Sequence, residues 1–363
     1  MRAMTVRAFG GADALTPARL PDPAPGPGEV TVDVVFAAVG FVDVLMRRGA
    51  FSLPLPLTPG LSIAGYVRAL GAGVTGLRVG QAVAAFTAPP AMGGYATRVR
   101  VSAAFVVPVD TPDGPVALDR AAASIVDGST AYLALVELGS LQPGHAVVVQ
   151  GAAGALGSTF ARLARHLGAD PLIGVVSSAA RRASTLALGY THVLVASEDI
   201  GSQVRAVTGG RGADLVVDPV GGPLRGVSLA ALRPLGRLIV VGQSSLEPEE
   251  PISARDLWLG SHAVLGLNFG ALAAAQPSRF QRAARAVFAL VARGDLPVDV
   301  ARVLPLSAAA EAHHRLERCG VAGTMLLRVG EEERDGRGRQ PDGWAASGIR
   351  GEGPAAASRQ SGA

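Results

Sequence analysis

His145-Ala-Val-Val-Val-Gln150, continued by Gly151-Ala-Ala-Gly-Ala-Leu-Gly157 and a segment running to Leu167, is the stretch on which the fold turns. It opens as an apolar run of strand length. A glycine-rich turn follows, and beyond it Leu156, Phe160, Leu163, Ala164 and Leu167 recur at helical spacing. Strand, tight turn and amphipathic helix in that order make the first unit of a dinucleotide-binding fold. Gly154 lets backbone approach a pyrophosphate, Gly157 lets the helix pack closely on the strand, and the N–H groups of the helix start receive negative charge. The plainer alternative is a turn that only joins a strand to a helix.

Working outward, short continuous apolar runs alternate with helical segments from about Leu118 to Leu267: Ala146 to Val149, Leu172 to Val176, His192 to Val195, Asp214 to Val217, Arg237 to Val241 and Ala263 to Leu267. This rhythm predicts a doubly wound parallel sheet covered on both faces, an α/β Rossmann domain. Upstream, Val30 to Phe36, Ser62 to Ala69, Gln81 to Ala85 and Ala96 to Val101 are strand-like runs between Gly and Pro, predicting an antiparallel, partly barrel-like β domain. A helix around Phe280 to Ala292 and a strand-helix-strand finish at Arg328 are expected to return to that first domain. The expected division is 1–122 with 268–329, 123–267, and a disordered tail 330–363 with almost nothing to bury.

The end of the second parallel strand distinguishes the dinucleotides. NAD-preferring sites place an acidic residue there, on the ribose hydroxyls. This chain has Ser177, Ser178, Arg181 and Arg182 instead. The serines offer neutral donors, and a guanidinium matches the geometry of a 2′-phosphate, so the reading is NADPH. The alternative is that the two arginines are a solvated helix start.

Composition narrows the chemistry. The 363 residues favour two domains, and the chain is 49% hydrophobic but only 17% charged, with no run long enough to cross a bilayer. The N-terminus does not read as a signal peptide, and a cytoplasmic location is expected. A net charge of +4 and a pI of about 9.9 come from scattered arginines, which read as composition bias, so nucleic acid is not an expected partner. Lysine is absent altogether, which removes Schiff-base chemistry. The lone Cys319 removes intramolecular disulfides and cysteine-based zinc clusters.

Taken together, several stretches resemble the zinc-free quinone oxidoreductase and enoyl reductase (zeta-crystallin-like) branch of the medium-chain dehydrogenase/reductase superfamily. They are Pro21-Asp-Pro-Ala-Pro-Gly-Pro-Gly-Glu29, Phe41-Val-Asp43, Pro59-Gly60, Gly71-Ala-Gly-Val-Thr-Gly76 with Val79-Gly80, Gly93-Gly-Tyr-Ala96, Ala152 to Gly157, Thr208-Gly-Gly-Arg-Gly212 and Val217-Asp-Pro-Val-Gly-Gly222. The resemblance implies a GroES-like catalytic domain split around the Rossmann domain, with the substrate between them. It also implies Thr130 near the nicotinamide, Ala153, Gly154, Ala155 and Leu156 along the pyrophosphate, and Ser178 with Arg181 at the 2′-phosphate. Val241, Gly242, Asn268 and Phe269 would line the nicotinamide side, with core packing as the alternative for Val241 and Phe269. A homodimer joined through the sixth-strand edge is implied as well.

Zinc-dependent relatives carry their catalytic metal partly on a Gly-His-Glu motif, where this chain has Gly60-Leu-Ser62, so no metal is expected. Without a Lewis acid the natural acceptor is a conjugated one, a quinone or an enone, whose own oxygen delocalises the incoming charge. Departures gather at the substrate end. Gly40 stands where relatives have Asn, Phe51 where they have Tyr, and Ala196 where they have a Tyr near the adenosine phosphates. A cleft lined by Val39, Gly40, Phe41, Phe51 and Leu53 would suit a bulky aromatic or polyketide-like acceptor. Asp127 is either a general acid or base beside the nicotinamide or a cap on the helix near Ser129. With Asp127 doing acid-base work, a non-redox cyclase or isomerase is a second reading, and an NADPH-sensing or nucleic-acid-binding protein a third. His313 and His314 read as surface and packing residues, and Asp43 and Asp218 as structural.

Overall fold

A computed structural model describes residues 1–89, 91–197, 199–318 and 323–330. Cys319 and the expected disordered tail, apart from Gly330, lie outside the described residues.

Six parallel strands form one sheet in the order His192–Val195, Leu172–Val176, Val147–Gln150, Ala213–Asp218, Leu232–Val240 and Ala263–Gly266. Numbered along the chain this is 3-2-1-4-5-6, the doubly wound arrangement, with its switch point between the strands Val147–Gln150 and Ala213–Asp218. The sequence runs were continuous because both faces are buried. Val147 and Val149 enter the larger core and Val148 the smaller one; Leu172 and Val176 divide from Ile173 and Val175 in the same way.

Five of the six strands fall where the apolar runs put them. The fifth starts earlier than expected, at Leu232 rather than Arg237, because Ala213 pairs with Leu232 before a register shift brings Leu215 to Arg237. Leu235, with φ +65°, and Gly236, where a Cβ would lie 2.8 Å from the Ala213 carbonyl, form that irregularity.

The second sheet has Glu29–Val39 at its centre, paired antiparallel with Ser62–Leu70, Arg98–Ser102 and Thr324–Arg328. Ala82–Phe86 and Val106–Pro108 extend it on one side; on the other, Val300–Pro305 pairs parallel with Thr324–Arg328. The chain therefore leaves this sheet, builds the parallel one, and returns through Met325 opposite Val39. The long helix Pro277–Arg293, with Pro at its start and Gly294 in the left-handed region at its end, packs on the helices Leu118–Ser124 and Asp127–Tyr132 at the junction of the two sheets. Among the described residues no single helix is long and apolar enough to cross a membrane.

Candidate functional site

Gly151 has φ +65°, and the backbone turns there over the neighbouring strand, Ala152 N–H donating to the Val175 carbonyl at 3.0 Å. At Gly157 a Cβ would lie 2.5 Å from the Gly151 carbonyl oxygen, so only glycine lets the helix Ala155–His166 start this close to the strand. Gly154 differs: a Cβ there would meet only the Gly151 oxygen, at 3.4 Å, and its other side is open. Gly154 is also the N-cap and offers no side chain to the helix start. Ser158 N–H is the first to bond back, to Gly154. The result is an open backbone cradle with N–H groups at its rim, the chemistry a pyrophosphate requires. Ala153, Ala155 and Leu156 are half-buried around it. Tyr190, which the sequence reading missed, anchors this geometry: its buried hydroxyl donates to the Gly157 carbonyl at 2.7 Å, and its ring leaves no room for a Cβ at Gly174.

The pairing of Gln150 with Val175 brings Ser177 and Ser178 to the same end of the sheet as the turn. Both serines are exposed, and Arg181 and Arg182 follow half-buried. Ala196 closes this side, its N–H donating to the Val176 carbonyl at 2.8 Å.

Across the switch point, Asp218 is fully buried and accepts from Val220 and Gly221 N–H at 2.8 and 2.9 Å and from Arg225 Nε at 3.1 Å. Arg225 also pairs with Glu249 and donates to the Gly242 carbonyl at 2.8 Å, fixing the loop that carries Val241 and Gly242. Asp218 is thus a strand-end clasp, as expected. Asn268 Oδ1 accepts from Ala271 N–H and caps the helix Phe269–Ala275. The Phe269 ring packs edge-on against Phe86 at 5.0 Å and Phe280 at 5.8 Å. Core packing therefore accounts for much of Phe269, the alternative left open above.

Asp127 is the first residue of the helix Asp127–Tyr132, and no side chain caps that helix. The capping role is not what the structure holds, because the chain is already helical at Val126 and the carboxylate is not turned onto the helix's N–H groups. Its oxygens accept no hydrogen bond among the described residues. Burial first, and the charge of Asp43 second, push Asp127 up to about 7. Thr130, one turn along, is buried, and its N–H donates to the Val126 carbonyl.

Asp43 binds backbone, as the sequence reading held: Oδ2 accepts from Gly40 N–H at 2.9 Å and Oδ1 from Gly60 N–H at 3.0 Å. Burial still outweighs those bonds and pushes it up to about 6. Two partners beyond it were not foreseen. Tyr95 Oη donates to Asp43 Oδ2 at 3.4 Å and lies 3.0 Å from His313 Nε2. His313 is fully buried, not a surface residue, because the helix Ala309–Glu317 turns it inward; burial, then the charges of Arg47 and His314, holds it down at about 3. Arg47, also fully buried, pairs with Glu317.

Gly40 and Phe51 lie at opposite ends of the helix Phe41–Arg48, Gly40 as N-cap and Phe51 just past the C-cap Gly49. Eight residues at about 1.5 Å each make a wall roughly 12 Å long between them. Phe41 and Phe51 are 36% and 41% exposed, so their rings offer apolar surface.

Comparison with known proteins gives the same picture. Residues 26–111 match the family model of an alcohol dehydrogenase GroES-like domain, and residues 155–289 that of a zinc-binding dehydrogenase. No three His, Cys, Asp or Glu side chains converge as a metal site among the described residues. A quinone oxidoreductase of Pseudomonas aeruginosa is 30% identical over 331 residues, spanning 88% of this chain and 97% of the relative. A 2-haloacrylate reductase of Burkholderia sp is 31% identical over 316 residues, spanning 84% and 92%. The structure of Escherichia coli quinone oxidoreductase complexed with NADPH superimposes with a TM-score of 0.82 at 27% identity, over 90% of this chain and 100% of that one. The chain belongs to the medium-chain dehydrogenase/reductase superfamily, in its quinone oxidoreductase branch.

Proposed function

We propose that this protein is an NADPH-dependent reductase of quinones or activated alkenes, with a bulky, uncharged aromatic or polyketide-like acceptor as its substrate. The open cradle at Gly154, with Ser177, Ser178, Arg181 and Arg182 at the end of the adjacent strand, is the observation that carries the reading. Ala153, Ala155 and Leu156 would hold the pyrophosphate by backbone N–H groups, with Gly154, whose own N–H donates to the Gly151 carbonyl, leaving room for it; Ser178 with Arg181 and Arg182 would hold the 2′-phosphate, and Thr130, Val241, Gly242, Asn268 and Phe269 the nicotinamide side. When bound, NADPH supplies hydride to the conjugated acceptor.

The remaining work falls to the chain. Reduction also needs a proton, and the Asp127 carboxyl, held up at about 7 and free of competing hydrogen bonds, carries one at neutral pH. Gly40, Phe41 and Phe51 provide apolar surface that aligns the acceptor and excludes water. Among the described residues Asp127 also has no cation partner, which disfavours acceptors bearing a carboxylate, unlike those named for the haloacrylate-reducing relative.

Separate titrations with NADPH and NADH, followed by a screen of quinones and enones for oxidation of the tighter one, test the proposal. Binding of neither would end it. The unpartnered Asp127 also supports a second reading, acid-base isomerisation or cyclisation, and turnover that persists with nicotinamide removed would favour it.

With a division at 1–122 with 268–329 and 123–267, this chemistry would lie between the two sheets. A homodimer fits the edge strand Ala263–Gly266, beside which Trp258, Leu259 and Leu235 are 74%, 62% and 75% exposed. Sedimentation would read that state, and fractionation the cytoplasmic location that NADPH use suggests.

A further inference from the structure

Asp43, whose charge is felt at Asp127, heads a line of buried groups for which the reduction chemistry gives no role. Asp43, Tyr95 and His313 come from three separate parts of the chain and are all fully buried. The carboxylate meets the phenol at 3.4 Å and the phenol meets the imidazole at 3.0 Å. The far ring nitrogen, His313 Nδ1, is buried with no hydrogen-bond partner. A structural clasp would need only the two backbone bonds that Asp43 already makes.

We propose that Asp43, Tyr95 and His313 form a proton-passing chain that sets the charge facing Asp127, making Asp43 and Tyr95 positioning residues for the proton donor. This rests on the reading of Asp127 as that donor. With Asp43 anionic, Tyr95 O–H donates to Oδ2 and His313 Nε2–H donates to the Tyr95 oxygen, leaving Nδ1 bare. When a proton arrives at Nδ1, Nε2 passes its own to Tyr95, and Tyr95 passes its own to Asp43. One proton enters, one ends on Oδ2, and the imidazole stays neutral with its hydrogen moved from Nε2 to Nδ1.

The charged and titratable groups around the chain are Arg47 on the helix of Asp43, His314 and Glu317 on the helix of His313, and Asp127, which feels the charge of Asp43. Burial raises Asp127 first, and the charge of Asp43 adds to it, while Arg47 is paired with Glu317. Neutralising Asp43 therefore lets Asp127 ionise more readily. Tyr95→Phe removes a bond that favours the Asp43 anion, leaving Asp43 protonated at higher pH and Asp127 ionised at lower pH.

Two measurements test this on the full chain. In histidine-labelled protein, nitrogen NMR between about pH 5 and 8 is expected to show His313 changing from the Nε2–H to the Nδ1–H tautomer as pH falls, with no imidazolium, and to show no such change in Tyr95→Phe. The His313 signal is assigned by its loss in His313→Asn. In steady-state assays, the limb of the pH profile that Asp127→Asn abolishes is expected to move to lower pH in Tyr95→Phe. A single tautomer throughout, or a limb that does not move in a folded Tyr95→Phe, overturns the chain. An Asp127→Asn profile identical to wild type overturns the donor reading instead, and the NMR result stands apart from it.

Discussion

Asp127 carries an ionisable group that the fold leaves without a hydrogen bond, and its energetic sign follows. Its carboxyl titrates near 7 in the folded chain and near 3.8 when unfolded, so the folded state binds the extra proton between those values. Its stabilising contribution is complete below about 3.8 and is lost as pH rises through 7. Asp127→Asn is therefore expected to raise the melting temperature by several degrees at about pH 8 and by nothing at about pH 4, as calorimetry would show. At neutral pH the same variant is expected to lose about 100-fold in turnover while gaining relative activity on carboxylate-bearing acrylates. His313 runs the other way. Its folded value near 3 against 6.5 unfolded means that stability is present above 6.5 and falls by about 1.4 kcal/mol per pH unit as pH drops toward 3. Replacing His313 with Asn should flatten that acid limb in a pH series of denaturant melts. At this scale the sequence was least informative. Gly154, Gly157 and Asp43 were readable because local spacing fixes what they do, whereas Tyr190, Tyr95 and His313 act across tens or hundreds of residues and leave no local pattern.

The elements were far more legible. Strands buried on both faces announce themselves as continuous apolar runs, and Leu172–Val176 and His192–Val195 begin and end where their sequences say. Boundaries slipped where pairing overrode pattern, as at Leu232, which joins the sheet although Arg233, Pro234 and Gly236 interrupt its apolar run. The turn-helix unit gives two expectations. Gly157→Ala puts a methyl group 2.5 Å from the Gly151 oxygen, so the helix start must shift; a loss of about 1–3 kcal/mol in stability and at least about tenfold in NADPH affinity is expected from melts and calorimetric titration. Arg181→Ala with Arg182→Ala is expected to weaken NADPH about 10- to 100-fold while leaving NADH affinity within about twofold, since only the 2′-phosphate loses its charge-assisted bonds. An equal loss for both dinucleotides would return these arginines to the status of a helix start.

For the whole molecule, the two sheets share the larger hydrophobic core, and charged pairs bridge them. Arg162 on the helix after the glycine turn pairs with Asp299, and Arg279 on the long helix pairs with Glu137. The aromatic cluster of Phe86, Phe105, Phe269 and Phe280 reinforces the same junction. This arrangement keeps the cradle at Gly154 and the carboxyl of Asp127 in one compact unit, as the proposed delivery of hydride and proton to one acceptor would require. The most direct measurement is the rate of NADPH oxidation by a quinone or enone, compared with NADH, using protein exhaustively treated with chelator. The account expects turnover with NADPH at least about tenfold faster than with NADH and unchanged by chelation. Turnover that vanishes with the chelator, or that proceeds equally well on NADH, would contradict it.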